Sequence, residues 1–290
     1  MPTDYSIWAF AYTRSNMPRD FFGGTLVESN RGTIRNPMVY TALHGGEEGG
    51  EPRLALVDTG MKGGWSPSGK SYEGVEHPET TLAKIGFAPE EVEDVILTHL
   101  HFDHAGNLDR FPNARFHVQR AEYDGWKRVF AMPDGLGSDT RKWPLSSIDP
   151  GVFELLDGLI ADGRVEFQEG DGEVLPGVLA HLARDSHTFG SQWLEVATRS
   201  GPYVVAGDCV YWYANIERMW PPAYVQGDAW NLIDCYRRIR DAVGDDLDRI
   251  VPGHDPLLFE RHRSWVAGIN PTAEIHLAAG DRSRAGGSAC

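Results

Sequence analysis

Apolar positions in this chain come in short runs whose spacing changes along the sequence. Arg53-Leu54-Ala55-Leu56-Val57-Asp58 predicts a buried strand that ends in a turn at Thr59-Gly60. Val95-Ile96-Leu97 predicts a second buried strand and leads straight into His99, and Arg115 to Val118 predicts another. Gln192 to Thr198 and Tyr203 to Ala206 flank Ser200-Gly201 and predict a hairpin. Arg249-Ile250-Val251 predicts a last strand before Pro252-Gly253-His254. Helical spacing is clearest from Ala229 to Val243, where Ala229, Leu232, Ile233, Tyr236, Ile239 and Val243 share one face. Thr80 to Ile85 predicts a short helix stopped by Gly86. Pro89-Glu90-Glu91 predicts a helix start, with its acids at the positive end of the dipole. Gly45-Gly46, Gly49-Gly50 and Gly63-Gly64 mark turns. Strands, a helix, then strands and a helix again predict an α/β (α+β) chain with two β-sheets and helices outside. With no internal repeat and no linker, the expectation is a single domain over 1–279 and a frayed tail over 280–290. Tyr5 to Phe22 is aromatic-rich and reads as core or as a lid or dimer arm within residues 1–24.

Composition narrows the class. The 290 residues are 41% hydrophobic and 24% charged, as in an ordinary globular protein long enough to bury a core. Lys plus Arg is 27 against 42 Asp plus Glu, a formal charge of −15. That balance speaks against nucleic acid and against an anionic membrane surface as partners. Cys209, Cys235 and Cys290 are too few for a disulfide framework and suit a reducing cytoplasm. Met1-Pro2-Thr3-Asp4 opens no signal peptide, and no apolar run approaches the ~18–20 residues of a membrane span. The expected localisation is therefore cytoplasmic.

The chemistry concentrates in Thr98-His99-Leu100-His101-Phe102-Asp103-His104, directly after an apolar strand. In an extended segment His99 and His101 point the same way and can share one metal, while Asp103 and His104 can face a second. Imidazole and carboxylate are the ligand types of hydrolytic zinc or iron sites. The bland alternative is a histidine-rich surface turn.

This run resembles the HxHxDH motif of the metallo-β-lactamase superfamily. The family's other motifs follow in order as Asp58-Thr59-Gly60, His187 in Asp185-Ser186-His187-Thr188-Phe189-Gly190-Ser191, Asp208 in Ala206-Gly207-Asp208, and His254 in Pro252-Gly253-His254. The resemblance spans about residues 53 to 255 and implies an αββα sandwich with the metals at one edge. It implies that His99, His101 and His187 hold one metal. Asp103, His104 and His254 would hold the other, and Asp208 would bridge the two. Zinc is the expected metal, two per chain, with iron or manganese as alternatives. Two cations sharing a water would bring its pKa to roughly 7, and the resulting hydroxide would attack a carbonyl carbon. Asp103 would then orient the nucleophile and protonate the leaving oxygen. Asp58 is either a partner for a ligand histidine or a plain turn residue. His44, His77, His117, His181, His262 and His276 read as surface or structural.

Within the superfamily, class B1 β-lactamases carry a cysteine where this chain has Asp208, and Cys209 reads as a buried thiol. The redox branch has a carboxylate where this chain has His101. Nuclease members carry basic surfaces or an added domain, and this chain has neither. The His-Thr-Phe-Gly-Ser-Gln turn and a tyrosine three residues after Asp208 resemble the N-acyl homoserine lactonase-like, quorum-quenching group. That likeness implies a small cyclic ester as substrate and Tyr211 as hydrogen-bond donor to the lactone oxyanion. The alternatives are a cyclic amide, thioester or phosphotriester hydrolase, and, from another class, a non-catalytic metal-binding module. The oligomeric state is open, a homodimer included. Tyr211, Trp212, Tyr213, Trp220, Tyr224 and Trp230 crowd one stretch, and Trp126, Phe130, Met132 and Trp143 sit in a segment without helical period. Either group can wall a pocket for a planar, aromatic-fused lactone, or simply fill the core.

Overall fold

The computed structural model describes residues 3–23, 31–132 and 142–285. The elements run β1 (Thr3–Pro18), α1 (Arg19–Gly23), β2 (Thr33–Glu47), β3 (Arg53–Val57), α2 (Pro78–Ala83), β4 (Asp94–Ile96), β5 (Arg115–Gln119), α3 (Arg120–Phe130), α4 (Gly151–Ala161) and β6 (Val165–Gln168). They continue β7 (Gly172–Leu175), β8 (Val178–Arg184), β9 (Gly190–Val196), β10 (Tyr203–Gly207), α5 (Tyr213–Arg218), α6 (Ala229–Val243), β11 (Ile250–Pro252), α7 (Leu258–Arg261), β12 (Arg263–Val266) and β13 (Pro271–His276). Eight strands pair in the order β12-β13-β1-β2-β3-β4-β5-β6 and five in the order β11-β10-β9-β8-β7. The expected two mixed sheets flanked by helices are borne out.

One apolar core lies between the sheets and under α6. There Ile7, Ala9, Val39 and Val57 of the first sheet meet Ala180, Leu194 and Val205 of the second, with Leu232, Tyr236 and Ile239 of the helix. A second core covers the other face of the large sheet, where Trp8, Phe10, Tyr12 and Leu56 pack with Leu82, Trp126 and Leu156. Residues 7–12 therefore alternate between two buried faces, which erases the polar/apolar alternation of a half-exposed strand. This is why periodicity leaves Tyr5 to Phe22 open between core and arm. Thr3–Pro18 is an interior strand, hydrogen-bonded to β2 and β13. The end of β1 and the helix that follows reach the cavity described below, through Met17 and through Phe21 and Phe22 of α1.

Helix α6 spans the residues its periodicity predicts. Asp228 caps its first amides and Gly244, at φ 60°, ends it. Pro89–Glu91 forms a single 3-10 turn instead of a longer helix. Trp126 and Phe130 correct the reading of an aperiodic loop, because both lie on α3. The buried stripe of that helix is Glu122, Gly125, Trp126 and Val129, and a carboxylate and a glycine disguise its period. Met132 is exposed, Trp143 begins a 3-10 turn, and residues 133–141 lie outside the described residues. In the tail, Arg284 donates its amide to Glu274 and Ala285 accepts from Arg263, while 286–290, Cys290 included, lie outside the described residues. Cys209 and Cys235 are buried free thiols. Among the described residues no helix is long and apolar enough to cross a membrane.

Parallel pairing of β3 with β4, and of β10 with β11, brings the carboxyl ends of these strands to one edge. Ligand sites form at such edges in open sheets. The fit there is tight. A Cβ on Gly190 would stand 2.3 Å from the backbone nitrogen of Glu122. Gly190→Ala is therefore expected to cost about 2 kcal/mol, a Tm drop on the order of 5 °C. Thermal melting checks this, and an unchanged Tm would show that the start of α3 yields freely.

Candidate metal centre

Each expected site residue hangs from a strand end or a tight turn at this edge. The loop after β4 carries His99, His101, Asp103 and His104. It is closed by the His104 amide donating to the His101 carbonyl at 3.0 Å and by the Tyr12 hydroxyl donating to the Asp103 carbonyl at 2.5 Å. Gly106 lets this loop press on the turn after β3, where a Cβ would lie 2.5 Å from the Lys62 nitrogen. His187 sits in the turn between β8 and β9, Asp208 follows β10, and His254 follows β11.

The side chains converge in two buried groups. One holds ligand-type atoms of His99, His101, His187 and Asp208, and the other those of Asp103, His104 and His254. Asp208 spans both. Its Oδ1 lies 2.9 Å from His254 Nε2 and 3.2 Å from His104 Nε2. Its Oδ2 lies 3.3 Å from His187 Nε2 and 3.7 Å from His99 Nε2.

Every imidazole is held by its outer nitrogen, which leaves the inner one for the centre. His99 Nδ1 donates to Thr98 Oγ1 at 3.0 Å, and His101 Nε2 donates to Gln226 Oε1 at 2.6 Å. His104 Nδ1 donates to Asp58 Oδ2 at 2.8 Å, and His254 Nδ1 to the Pro37 carbonyl at 3.2 Å. His187 Nδ1 faces the Tyr211 hydroxyl at 3.4 Å. Asp58 thus supports a histidine rather than merely making a turn. It also accepts the Thr98 amide at 2.7 Å and the Thr98 hydroxyl at 2.8 Å.

Burial and charge set the protonation states. Burial drives His99 well below its usual value, His101 down to about 4 and His187 down to about 3. Those three are neutral and offer lone pairs. His104 and His254 are equally buried, but the Asp208 and Asp103 carboxylates outweigh that and raise both. Burial also opposes ionisation of Asp208, and His254 and His104 overcome it, holding the carboxyl well below its usual range.

At the centre, His99 Nε2 is buried without a hydrogen-bond partner, and His104 Nε2 and Asp208 Oδ1 meet each other at ion-pair distance. Converging imidazole nitrogens and carboxylate oxygens of this kind leave donor lone pairs facing one another. A divalent cation in each group relieves the conflict, so the residues present fit two metals with mixed nitrogen and oxygen ligation. His44, His77, His117, His181, His262 and His276 belong to neither group. Among them, His117 pairs with Asp94 at 2.8 Å and His181 stacks on Trp193 at 3.9 Å.

A cavity of about 190 Å³ opens over the centre. His101, Asp103, Asp208, Tyr211 and His254 form its floor, and Met17, Phe21, Phe22 and Met38 an apolar wall. Ser66, Ser68, Lys70 and Tyr72 add polar groups to the lining, with Ser146, Ser147 and Tyr224. The aromatic stretch divides accordingly. Tyr211 and Tyr224 face the cavity, the latter stacked on Phe21 with ring centroids 5.6 Å apart. Trp212 and Tyr213 are core, with the indole bonded to Asn36 and the phenol to the Ile250 carbonyl. Trp230 is exposed, and Trp126 packs in the core 6.0 Å from the His101 ring.

Sequence reasoning missed Glu122 and Gln226. The fully buried Glu122 carboxylate accepts the Leu100 amide at 3.1 Å and the Trp126 indole N–H at 2.8 Å. It also takes the Thr188 hydroxyl at 2.7 Å and the Gly190 amide at 2.8 Å. It ties the His99–His101 loop to the His187 turn. Its signal was a carboxylate in the inward stripe of a helix, which has to be hydrogen-bonded to be there.

The sequence matches the metallo-beta-lactamase superfamily over residues 48–254. An N-acyl homoserine lactonase, AttM, of Rhizobium johnstonii is 32% identical over 234 residues, 77% of this chain and 80% of its own. An N-acyl homoserine lactonase of a Bacillus species is 29% identical over 214 residues, 69% and 76% of the two chains. In fold, the chain is similar to AidC, described as a dizinc quorum-quenching lactonase in complex with a product. The TM-score is 0.67 at 15% identity, over 93% of this chain and 94% of that one. It is also similar to an N-acyl homoserine lactone hydrolase with product at its catalytic metal centre. There the TM-score is 0.65 at 22% identity, over 91% and 98%. Motif order, sheet architecture and sequence match agree, and this chain belongs to the metallo-beta-lactamase superfamily.

Proposed function

We propose that this hydrolase opens a lactone ring at a dinuclear zinc centre. His99, His101 and His187 would hold one metal, and Asp103, His104 and His254 the other, with Asp208 between them. The observation that carries the reading is the split of the Asp208 carboxylate, one oxygen toward each histidine group, beneath a cavity that Tyr211 lines. The names of the relatives support the substrate class. Two divalent cations there would supply Lewis acidity and a water that ionises near neutral pH.

The chain's own groups do the rest. Burial, reinforced by the Asp208 and Asp103 charges, raises the Tyr211 phenol well above its usual value, so it stays protonated. With a hydrogen on His187 Nδ1, the Tyr211 oxygen accepts, and the phenolic hydrogen is free to meet the lactone carbonyl oxygen. Asp103 lines the floor and can take the proton lost by the attacking water, then hand it to the ring oxygen as the ester C–O bond breaks. Water is consumed, and the products are an alcohol and a carboxylic acid on one molecule. The apolar wall of Met17, Phe21, Phe22 and Met38 excludes bulk water from the ring.

Metal analysis joined to a ring-opening screen in weak buffer with a pH indicator tests this. The expected result is two metal equivalents and proton release from lactones. Turnover of cyclic amides, thioesters or phosphotriesters in place of lactones would overturn the substrate class. In the same assay Tyr211→Phe is expected to lower kcat about tenfold to a hundredfold with little change in KM, since its donor acts on the developing oxyanion. An unaltered kcat would return Tyr211 to a packing role beside His187.

A further inference from the structure

The cavity lining includes an ammonium that, among the described residues, no carboxylate pairs. Lys70 lines the cavity and is half-buried. Its Nζ donates to the Asn16 carbonyl at 3.0 Å and touches the Met17 sulfur. Among the described residues no carboxylate lies within ion-pair distance of it, whereas Lys62, Lys84 and Lys127 pair with Asp109, Glu76 and Asp157. In a chain with 42 acidic residues against 27 basic ones, leaving this cation unpaired runs against the composition. The cavity's own carboxylates, Asp103 and Asp208, are taken up by the histidine groups.

The ammonium is built into a fixed turn. The Ser66 amide donates to the Lys70 carbonyl at 2.8 Å, and the Lys70 amide donates back to Ser66 Oγ at 3.0 Å. Ser68 Oγ lies 2.9 Å from Ser66 Oγ, and a bridge from Trp65 to Ser71 closes the turn. Two hydroxyls and a cation thus line the same cavity as Met17, Phe21, Phe22 and Met38, with the ammonium beside the Met17 sulfur. That lining, a cation and hydroxyls beside aromatic and apolar side chains, matches a flat ring bearing an anion. A long acyl chain would leave the ammonium desolvated and unpaired.

We propose that the substrate is a ring-fused lactone carrying a carboxylate, and that Lys70, with Ser66 and Ser68 beside it, binds this carboxylate while the lactone carbonyl lies at the histidine-aspartate centre. The inference rests on the lactone-opening reading above and adds what the substrate must carry. A charge-assisted hydrogen bond to a partly buried carboxylate gives about a tenfold to hundredfold preference over a neutral counterpart.

The test compares phthalide with a carboxyphthalide, using metal-loaded wild-type enzyme and the Lys70→Met and Lys70→Arg variants. The expected result is that the kcat/KM ratio of carboxylate over neutral lactone falls about thirtyfold in Lys70→Met and recovers in part in Lys70→Arg. In the wild type the ratio also falls as salt rises. Lys70→Gln replaces Lys70→Met should the thioether disturb the turn, as judged by melting. A ratio equal in wild type and charge-free variant overturns the carboxylate site. If neither lactone opens, the lactone reading falls separately. Calorimetry then decides the site: weaker binding of terephthalate to Lys70→Met holoenzyme than to wild type supports it, and equal binding removes it.

Discussion

Asp208→Ala is expected to lower kcat/KM for lactone opening by roughly a thousandfold or more while the fold survives. The size of the effect follows from position. Asp208 Oδ1 reaches His254 and His104, and Oδ2 reaches His187 and His99, so one truncation removes a donor from both groups at once. His101→Ala removes a donor from one group only, and its metal content should fall toward one equivalent while that of Asp208→Ala falls further. The fold has little at stake in this side chain. β10 ends at Gly207 and is held to β9 and β11 by backbone pairing, and the aspartate side chain lies in the histidine group and lines the cavity. Asp208→Asn keeps the volume and loses the charge, so it should behave like the alanine variant in metal content. Metal analysis, melting and the proton-release assay read the three quantities separately. Two retained equivalents with a wild-type rate in Asp208→Ala would remove the carboxylate from the centre and the dinuclear reading with it.

The parts of this site that could be read from the sequence were those compressed into a few consecutive residues. Four ligand-type side chains within residues 99–104 announce themselves, and the turns at Asp58, His187, Asp208 and His254 were found through motif order, because each alone is an ordinary residue after a strand. Helix α6 and strand β3 were legible because each buries one stripe or one apolar run. Strand β1 was not, because both of its faces are covered and no alternation remains. Glu122 and Gln226 were missed for another reason. Their partners lie far along the chain, Gln226 on His101 and Glu122 on Gly190, and local spacing carries no trace of such contacts. Lys70 was invisible on the same ground, since what distinguishes it is the lack, among the described residues, of an acid within ion-pair distance in three dimensions.

Asp58 offers the second large effect, because a single carboxylate there serves backbone, hydroxyl and imidazole together. Its φ of 67° lies in the left-handed region, where aspartate and asparagine are tolerated better than other side chains. Asp58→Ala strains that turn and strands the buried Thr98 amide and hydroxyl. Loss of about 2–4 kcal/mol is expected in the metal-free protein. It also frees the outer nitrogen of His104, so the imidazole can rotate, and metal affinity should fall about tenfold to a hundredfold. Asp58→Asn separates the two consequences. It keeps the left-handed turn and an oxygen for the Thr98 amide, so most of the stability should return. Its amide nitrogen would confront the His104 Nδ1 hydrogen, so the affinity loss should persist. Melting of metal-free protein gives the first quantity and chelator competition the second. Wild-type affinity in Asp58→Asn would show that the carboxylate holds the turn alone, and that His104 finds its orientation from the centre itself.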